Sequence, residues 1–404
     1  MAVRRKQRRH KPYGAALALL LALIAAQTVA SAERWVGGVR VPSGWRLVQY
    51  HSVASGVVHL GLQRSRPDEI VHVARIAKGS ATRMRVVLSN NLVSGPSPRT
   101  ERTSSMCSRT GCLVAINGSF FSSGAPVGGV FDNGRPIKSP IDSRPHLTLG
   151  RDGSLQIGKQ TMTTTLTAFY PRTRFVLRDV SEPRSMTVHG LNIARPADRI
   201  VLYTSRYGPT TETRGGIELT ARFVAPATEI RTGEPIALEL VSRRTGNSKI
   251  PSNAIVLSGE GAGAGTLAAL WHDVITGKAE RRVTVQLSPA PDVFAGLAGK
   301  PVLVRNGERA TGSASQRDAR TMIGWNAAGD LLLATVDGQQ PGRSIGLSVI
   351  DAANLMRALG AVDALNLDGG GSTTFVLRGR LMNRPSTSSG RERAVAVAVA
   401  IVPA

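Results

Sequence analysis

Aromatic residues are scarce in this chain, 4% of 404 residues, and no basic stretch is interleaved with them. Single-stranded nucleic acids are held by stacking bases on such rings, so no nucleic-acid partner is expected. Acidic residues are also few, 27 Asp and Glu against 51 Lys and Arg. Only two cysteines occur, Cys107 and Cys112. Without a histidine beside them they leave a zinc shell half empty. Beyond the first thirty-odd residues, no apolar run is long enough for a spanning helix. The sequence also lacks a Gly-x-Ser-x-Gly elbow, and its histidines sit away from its distinctive stretches, which excludes the usual Ser/His/Asp hydrolase pattern.

What is present begins with a targeting segment. Arg4, Arg5, Lys6, Arg8, Arg9 and Lys11 form a basic head, an apolar run extends from Ala15 to Ala26, and Ala30-Ser31-Ala32 has the small-x-small form of a cleavage site. Residues 1–32 are therefore expected to be a signal peptide, with cleavage near Ala32 and a secreted or cell-envelope destination. The membrane becomes a partner only if this leader stays uncut. Removing it lowers the net charge from +24 to about +18, a balance that suits an anionic neighbour. For a secreted chain that neighbour is an anionic carbohydrate or sugar-phosphate polymer; a solvated basic surface is the plainer alternative. In the same oxidising setting Cys107 and Cys112 read as a local disulfide that pins the segment after it.

Short alternating or apolar runs predict strands at Val57–Leu62, Ile70–Ile76, Arg85–Ser89, Leu113–Ile116, Arg199–Tyr203, Ala254–Ser258, Arg282–Leu287, Pro301–Arg305, Arg320–Gly324, Leu331–Val336, Ala364–Leu367 and Ala394–Val402. Pro145 to Ile157 reads as a hairpin, and 90–105 as a Ser-, Pro- and Arg-rich loop. The best helix is Ser348–Leu359, with Ser348 as its cap, Asp351 in its first turn and Gly360 as its stop. Gly259 to Gly265 comes after a strand and precedes helical residues, which invites a dinucleotide-binding reading. The next strand ends in Ser288 rather than an acid, so a glycine-rich corner before a short helix is the better account.

The rest of the chain is organised around Asn366-Leu-Asp-Gly-Gly-Gly-Ser-Thr-Thr374. A strand delivers Asp368 at its carboxyl end. Gly369, Gly370 and Gly371 then offer bare N–H groups to an anionic ligand, and Ser372 and Thr373 add hydroxyls. A tight turn is the structural alternative. Asp337 stands at another strand end. Asn117, after the strand Leu113–Ile116, is either a turn residue or an amide aimed at a substrate hydroxyl.

The stretches Ala115-Ile-Asn-Gly-Ser-Phe-Phe121, Val201-Leu-Tyr203 with Tyr207-Gly208, Ile250-Pro251, Val256 to Gly259, Arg320-Thr321, Val336-Asp-Gly338, Asn366 to Thr374, Asn383-Arg-Pro385 and Glu392-Arg393 resemble the phosphodiester glycosidase family. They cover roughly residues 110 to 402. A proline usual before the Arg-Thr pair is Ala319 here. The resemblance implies hydrolysis of a sugar-1-phosphodiester and an association with exopolysaccharide. Such a reaction needs carboxylates around the anomeric carbon, and Asp368, Asp337 and Glu392 are the catalytic candidates. For Glu392 a structural ion pair with Arg393 or another arginine competes. Arg320 suits phosphate oxygens, with a surface ion pair as its alternative. Asn117, Thr321, Asn366, Gly369, Gly370, Gly371, Ser372, Thr373 and Asn383 complete the expected binding set.

These readings predict an α+β fold of mixed, mostly antiparallel sheets with a few helices. They divide the chain into a signal peptide (1–32), a strand-rich segment (33–105) and a catalytic unit of packed subdomains (106–404). The expected function is a secreted glycosidase acting on sugar-1-phosphodiesters in an anionic envelope glycan. The alternatives are a non-catalytic polyanion-binding envelope protein and a metal-dependent phosphodiesterase. No cofactor is required by the residues; a divalent metal held by Asp337 and Asp368 belongs only to the last reading.

Overall fold

A computed structural model describes residues 34–140, 143–172, 180–288, 293–312 and 315–404. The leader predicted over 1–32 lies outside the described residues. The architecture is β-rich: sheets of eight, seven, five and five strands, three two-stranded ribbons and three α-helices among the described residues. The paired strands of these sheets run antiparallel, with parallel pairing confined to isolated bridges such as Leu191 to Leu202, in keeping with the mostly antiparallel, β-rich architecture expected. None of the described helices is long and apolar enough to cross a membrane.

The eight-stranded sheet carries Val302–Arg305, Ala361–Asn366, Arg320–Asn326, Leu331–Val336, Glu69–Ile76, Val57–Arg64 and Arg46–Ala54 in that spatial order, with Glu308–Arg309 at the far edge. Segments before and after residue 105 thus share one sheet. Leu331–Val336 is buried throughout, as its unbroken apolar run requires. Successive side chains of a strand point to opposite faces. Leu331 and Leu333 accordingly join a core with Ile323 and Leu365, whereas Leu332, Ala334 and Val336 pack on the other face with Met356 of the helix Val349–Ala358. Each large aliphatic side chain so buried contributes about 1.5–3 kcal/mol. That helix is capped as its sequence predicts: the Ser348 hydroxyl accepts the Asp351 N–H at 3.0 Å.

Against the first core face lies a five-stranded sheet ordered Arg380–Leu381, Phe375–Leu377, Val114–Asn117, Val397–Pro403 and Thr82–Leu88. The two sheets meet where the glycine-rich stretch crosses from one to the other. The seven-stranded sheet, covered by the helix Ala262–Ile275, forms its own core.

Two expectations about helices are corrected. The glycine run does form a corner, with Gly259 ending its strand and Gly261 capping the helix, but the helix that follows is 14 residues long rather than short. A Cβ on Gly263 would sit 2.6 Å from the Arg199 carbonyl oxygen, so the close crossing of strand and helix demands glycine. The predicted loop ends three residues early, where the helix Thr103–Thr110 begins, and the disulfide Cys107–Cys112 ties the last turns of that helix to the residues just beyond it.

Candidate active site

Register brings the acidic strand ends together. Arg320–Asn326 runs antiparallel to both neighbours, with Arg320 opposite Val336 on one side and Met322 opposite Asn366 on the other. The carboxyl ends of Leu331–Val336 and Ala361–Asn366 therefore emerge at one edge, where Arg320 enters. Asp337 and Asp368 stand just past those ends, on strands two ladder spacings, roughly 10 Å, apart.

Asp368 is half-buried. Its N–H donates to the Gly118 carbonyl at 3.1 Å, and its carbonyl accepts from Asn117 Nδ2 at 2.7 Å. Burial raises its carboxyl above the usual carboxylate range. The Ser372 hydroxyl, the charge of Arg393 and the Gly369 N–H oppose that rise, and Asp318 adds to it. Arg393 reaches Ser372 Oγ at 3.4 Å and lies over the Phe121 ring, 5.2 Å from its centroid. Asp318 stands beside the glycines: Gly370 has φ +57°, and a Cβ there would lie 3.3 Å from an Asp318 carboxylate oxygen. Asp318 and Arg393 are the groups that sequence reasoning left out of the site. Arg393 was available from its place after Glu392, and Asp318 from standing two residues before Arg320.

Asp337 is fully buried. Its Oδ2 accepts from Arg343 Nη2 and the Arg384 N–H, each at 3.2 Å, while Oδ1 is buried without a hydrogen-bond partner. Burial raises its carboxyl above the ordinary value against the pull of Arg384, Arg343 and the Asn383 amide. It is oriented rather than open.

Most of the expected binding residues turn inward. Asn117 Oδ1 accepts the Thr321 hydroxyl at 2.7 Å and the Thr374 N–H at 3.0 Å. Thr321 also reaches Thr373 Oγ1 at 3.4 Å. Asn383 accepts the Phe375 N–H at 2.7 Å and donates to the Thr373 carbonyl at 3.0 Å. Asn366 donates to the carbonyls of Lys300 and Leu367, at 2.9 and 2.8 Å. These side chains, with Ser372, are buried and fasten the loop. The triple glycine does not present three unengaged amides either, because the Gly370 N–H donates to the Ala319 carbonyl at 2.9 Å and that of Gly369 serves Asp368. Arg320 is half-buried and gives Nε to the Leu347 carbonyl at 2.9 Å and Nη2 to that of Gln316 at 2.8 Å. Glu392 forms no structural ion pair with Arg393; its two oxygens take the N–H and hydroxyl of Ser104, in the first turn of Thr103–Thr110.

Among the described residues no three His, Cys, Asp or Glu side chains come together in a set that would hold a metal ion. Asp337 and Asp368, separated by a whole strand, do not form a shared ligand pair with a third acid.

The phosphodiester glycosidase family model matches residues 241–402. The resemblance to that family holds. Mouse N-acetylglucosamine-1-phosphodiester α-N-acetylglucosaminidase is 39% identical over 108 residues, 22% of this chain and 20% of the mouse protein. The human protein of that name is 46% identical over 68 residues, 17% of this chain and 13% of its own. The match spans about a fifth or less of the length of these phosphodiester glycosidases. Among solved structures, a hypothetical protein from Synechocystis superposes with a TM-score of 0.65 at 20% identity, over 90% of this chain and 69% of the other. A Burkholderia pseudomallei protein described as exported gives 0.62 at 23%, over 83% and 74%. At such identities the likeness is one of fold.

Proposed function

We propose that the chain is a secreted hydrolase that cleaves the C1–oxygen bond of a sugar-1-phosphodiester in an anionic envelope glycan. The observation that carries this reading is Asp368, half-buried at a strand end between the like charge of Asp318 and the opposite charge of Arg393. Water adds its oxygen to C1 and the phosphate departs with the electron pair of the C1–O bond, leaving a phosphomonoester. A phosphate whose last ionisation lies near roughly pH 6 leaves readily, so neutralising its charge matters more than a strong general acid. Arg393, and the part of Arg320 not engaged by carbonyls, supply that charge. Asp368 and Asp318 steady the oxocarbenium-like sugar and take the proton of the water. Asp337 holds the adjoining turn in place through Arg343 and Arg384. The family match over 241–402 supports glycosidase chemistry, and the basic balance of the chain supports an anionic polymer.

The test is a panel of sugar-1-phosphodiesters hydrolysed by the purified chain in oxygen-18 water. Label is expected in the released sugar, and Asp368→Asn is expected to abolish turnover. Label in the phosphate would replace this reading with phosphorus–oxygen cleavage.

A further inference from the structure

A cleft of about 260 Å³ lies apart from the Asp368 edge, between Thr82–Leu88, the ribbon Val130–Asp132 with Arg135–Lys138, and the turn after Ile200–Tyr203. Its walls include Arg85, Asp132, Arg135, Ser205, Arg206 and Glu229. None of Asp318, Arg320, Asp337, Asp368 or Arg393 lines it.

The charges within it are unevenly matched. Arg85 clasps Asp132 through two bonds of 2.8 Å, and the Val86 N–H donates to the same carboxylate at 3.0 Å. Glu229 is engaged by Arg135 at 2.9 Å and by Arg231 at 2.6 Å. Both acids are thereby committed. Arg206 remains: among the described residues its guanidinium makes no hydrogen bond or ion pair, and its Nε is buried without a partner. A partly buried arginine costs stability unless an anion meets it. Burial pulls its guanidinium below the ordinary value, and Arg135, Arg85 and Arg109 add to that pull while Asp132 opposes it. This environment is built for a negative charge that the chain does not supply. The guanidinium is planar and offers paired donors, which suits a two-oxygen acceptor.

We propose that this cleft is an anion-binding site, in which Arg206 receives an oxyanion, a phosphate or a carboxylate. It does not depend on the reading of the Asp368 edge. The test is calorimetric titration of the full chain with inorganic phosphate and with glucuronate, against sodium chloride at equal ionic strength. Saturable binding of at least one of these anions is expected in the wild type, weakened at least tenfold in Arg206→Gln. The phosphate and glucuronate arms tell which oxyanion is preferred. Removing an unmatched charge should also leave Arg206→Gln no less heat-stable than the wild type in anion-free buffer. If that variant does not fold, Arg206→Met serves in its place. Binding that Arg206→Gln leaves unchanged, or a response that sodium chloride reproduces, would overturn the site.

Discussion

Asn117 Nδ2 donates to the carbonyl oxygen of Asp368 at 2.7 Å across 251 residues of sequence. Through its Oδ1 the same side chain holds Thr321 and Thr374. One buried amide thus joins the strand Val114–Asn117 to the strand of Arg320 and to both ends of the glycine-rich stretch, and it fixes where the Asp368 backbone sits.

Asn117→Ala should therefore act on stability before it acts on substrate binding. Orphaning three buried partners costs on the order of 2–4 kcal/mol, read as a lower urea midpoint with an unchanged slope. Turnover should fall with it through kcat, because Asp368 loses its anchor. A raised KM with full stability would instead make Asn117 a substrate ligand.

Asp368 should govern the acid limb of activity. Burial raises its carboxyl above the ordinary value of 3.8, so a reaction that needs the carboxylate fades on acidification at a higher pH than an exposed aspartate would dictate. Arg393 favours the ionised form, and Arg393→Gln should move the limb further up in pH. The same shift has a stability sign. With the folded-state value above the unfolded one, its contribution is full below pH 3.8 and is lost as pH rises through the raised value. Asp368→Asn should consequently be inactive at neutral pH yet melt no lower than the wild type. A kcat/KM profile that Arg393→Gln leaves in place would detach the acid limb from Asp368.

Strand positions were legible in the sequence because burial on both faces leaves runs such as Leu331–Val336 no other interpretation. The acids at strand ends could be read off once those strands were placed. Side-chain direction was not legible. Whether Asn117 looks outward or inward depends on a loop 251 residues later, and the hydroxyls of Thr321 and Thr373 are turned by the same meeting. The helix Thr103–Thr110 has little apolar stripe, only Met106 and Cys107 buried beside Thr103, and its first turn is satisfied by Glu392 from 288 residues away. No local pattern announces such a cap.

Glu392 should accordingly behave as a cap. Its carboxylate meets the N–H and hydroxyl of Ser104 near the positive end of the helix. Glu392→Gln should lower the unfolding free energy by about 1 kcal/mol while the turnover of the folded protein stays close to the wild-type level. Loss of turnover at full stability would return Glu392 to the reacting groups.

Acid lability should arise in a ladder of histidines across three strands. His51 and His59 stack at 5.4 Å and His59 and His72 at 5.3 Å, with Phe375 against the latter two at 5.1 and 5.6 Å. His59 Nε2 and His72 Nδ1 share a hydrogen bond of 3.1 Å, which requires one proton between them. Burial lowers His59 to about 3, helped by His72 and His51, and His72 to about 4, helped by Arg343. Both folded-state values lie below the unfolded 6.5, so this stability is complete above pH 6.5 and is lost as pH falls towards 3. The melting temperature should thus decline steadily over that interval, by an amount worth a few kcal/mol. The double substitution His59→Phe/His72→Phe keeps an aromatic stack beside Phe375 and removes both titrating rings, and it should flatten the decline. Parallel slopes in the two proteins would assign the acid response to other groups.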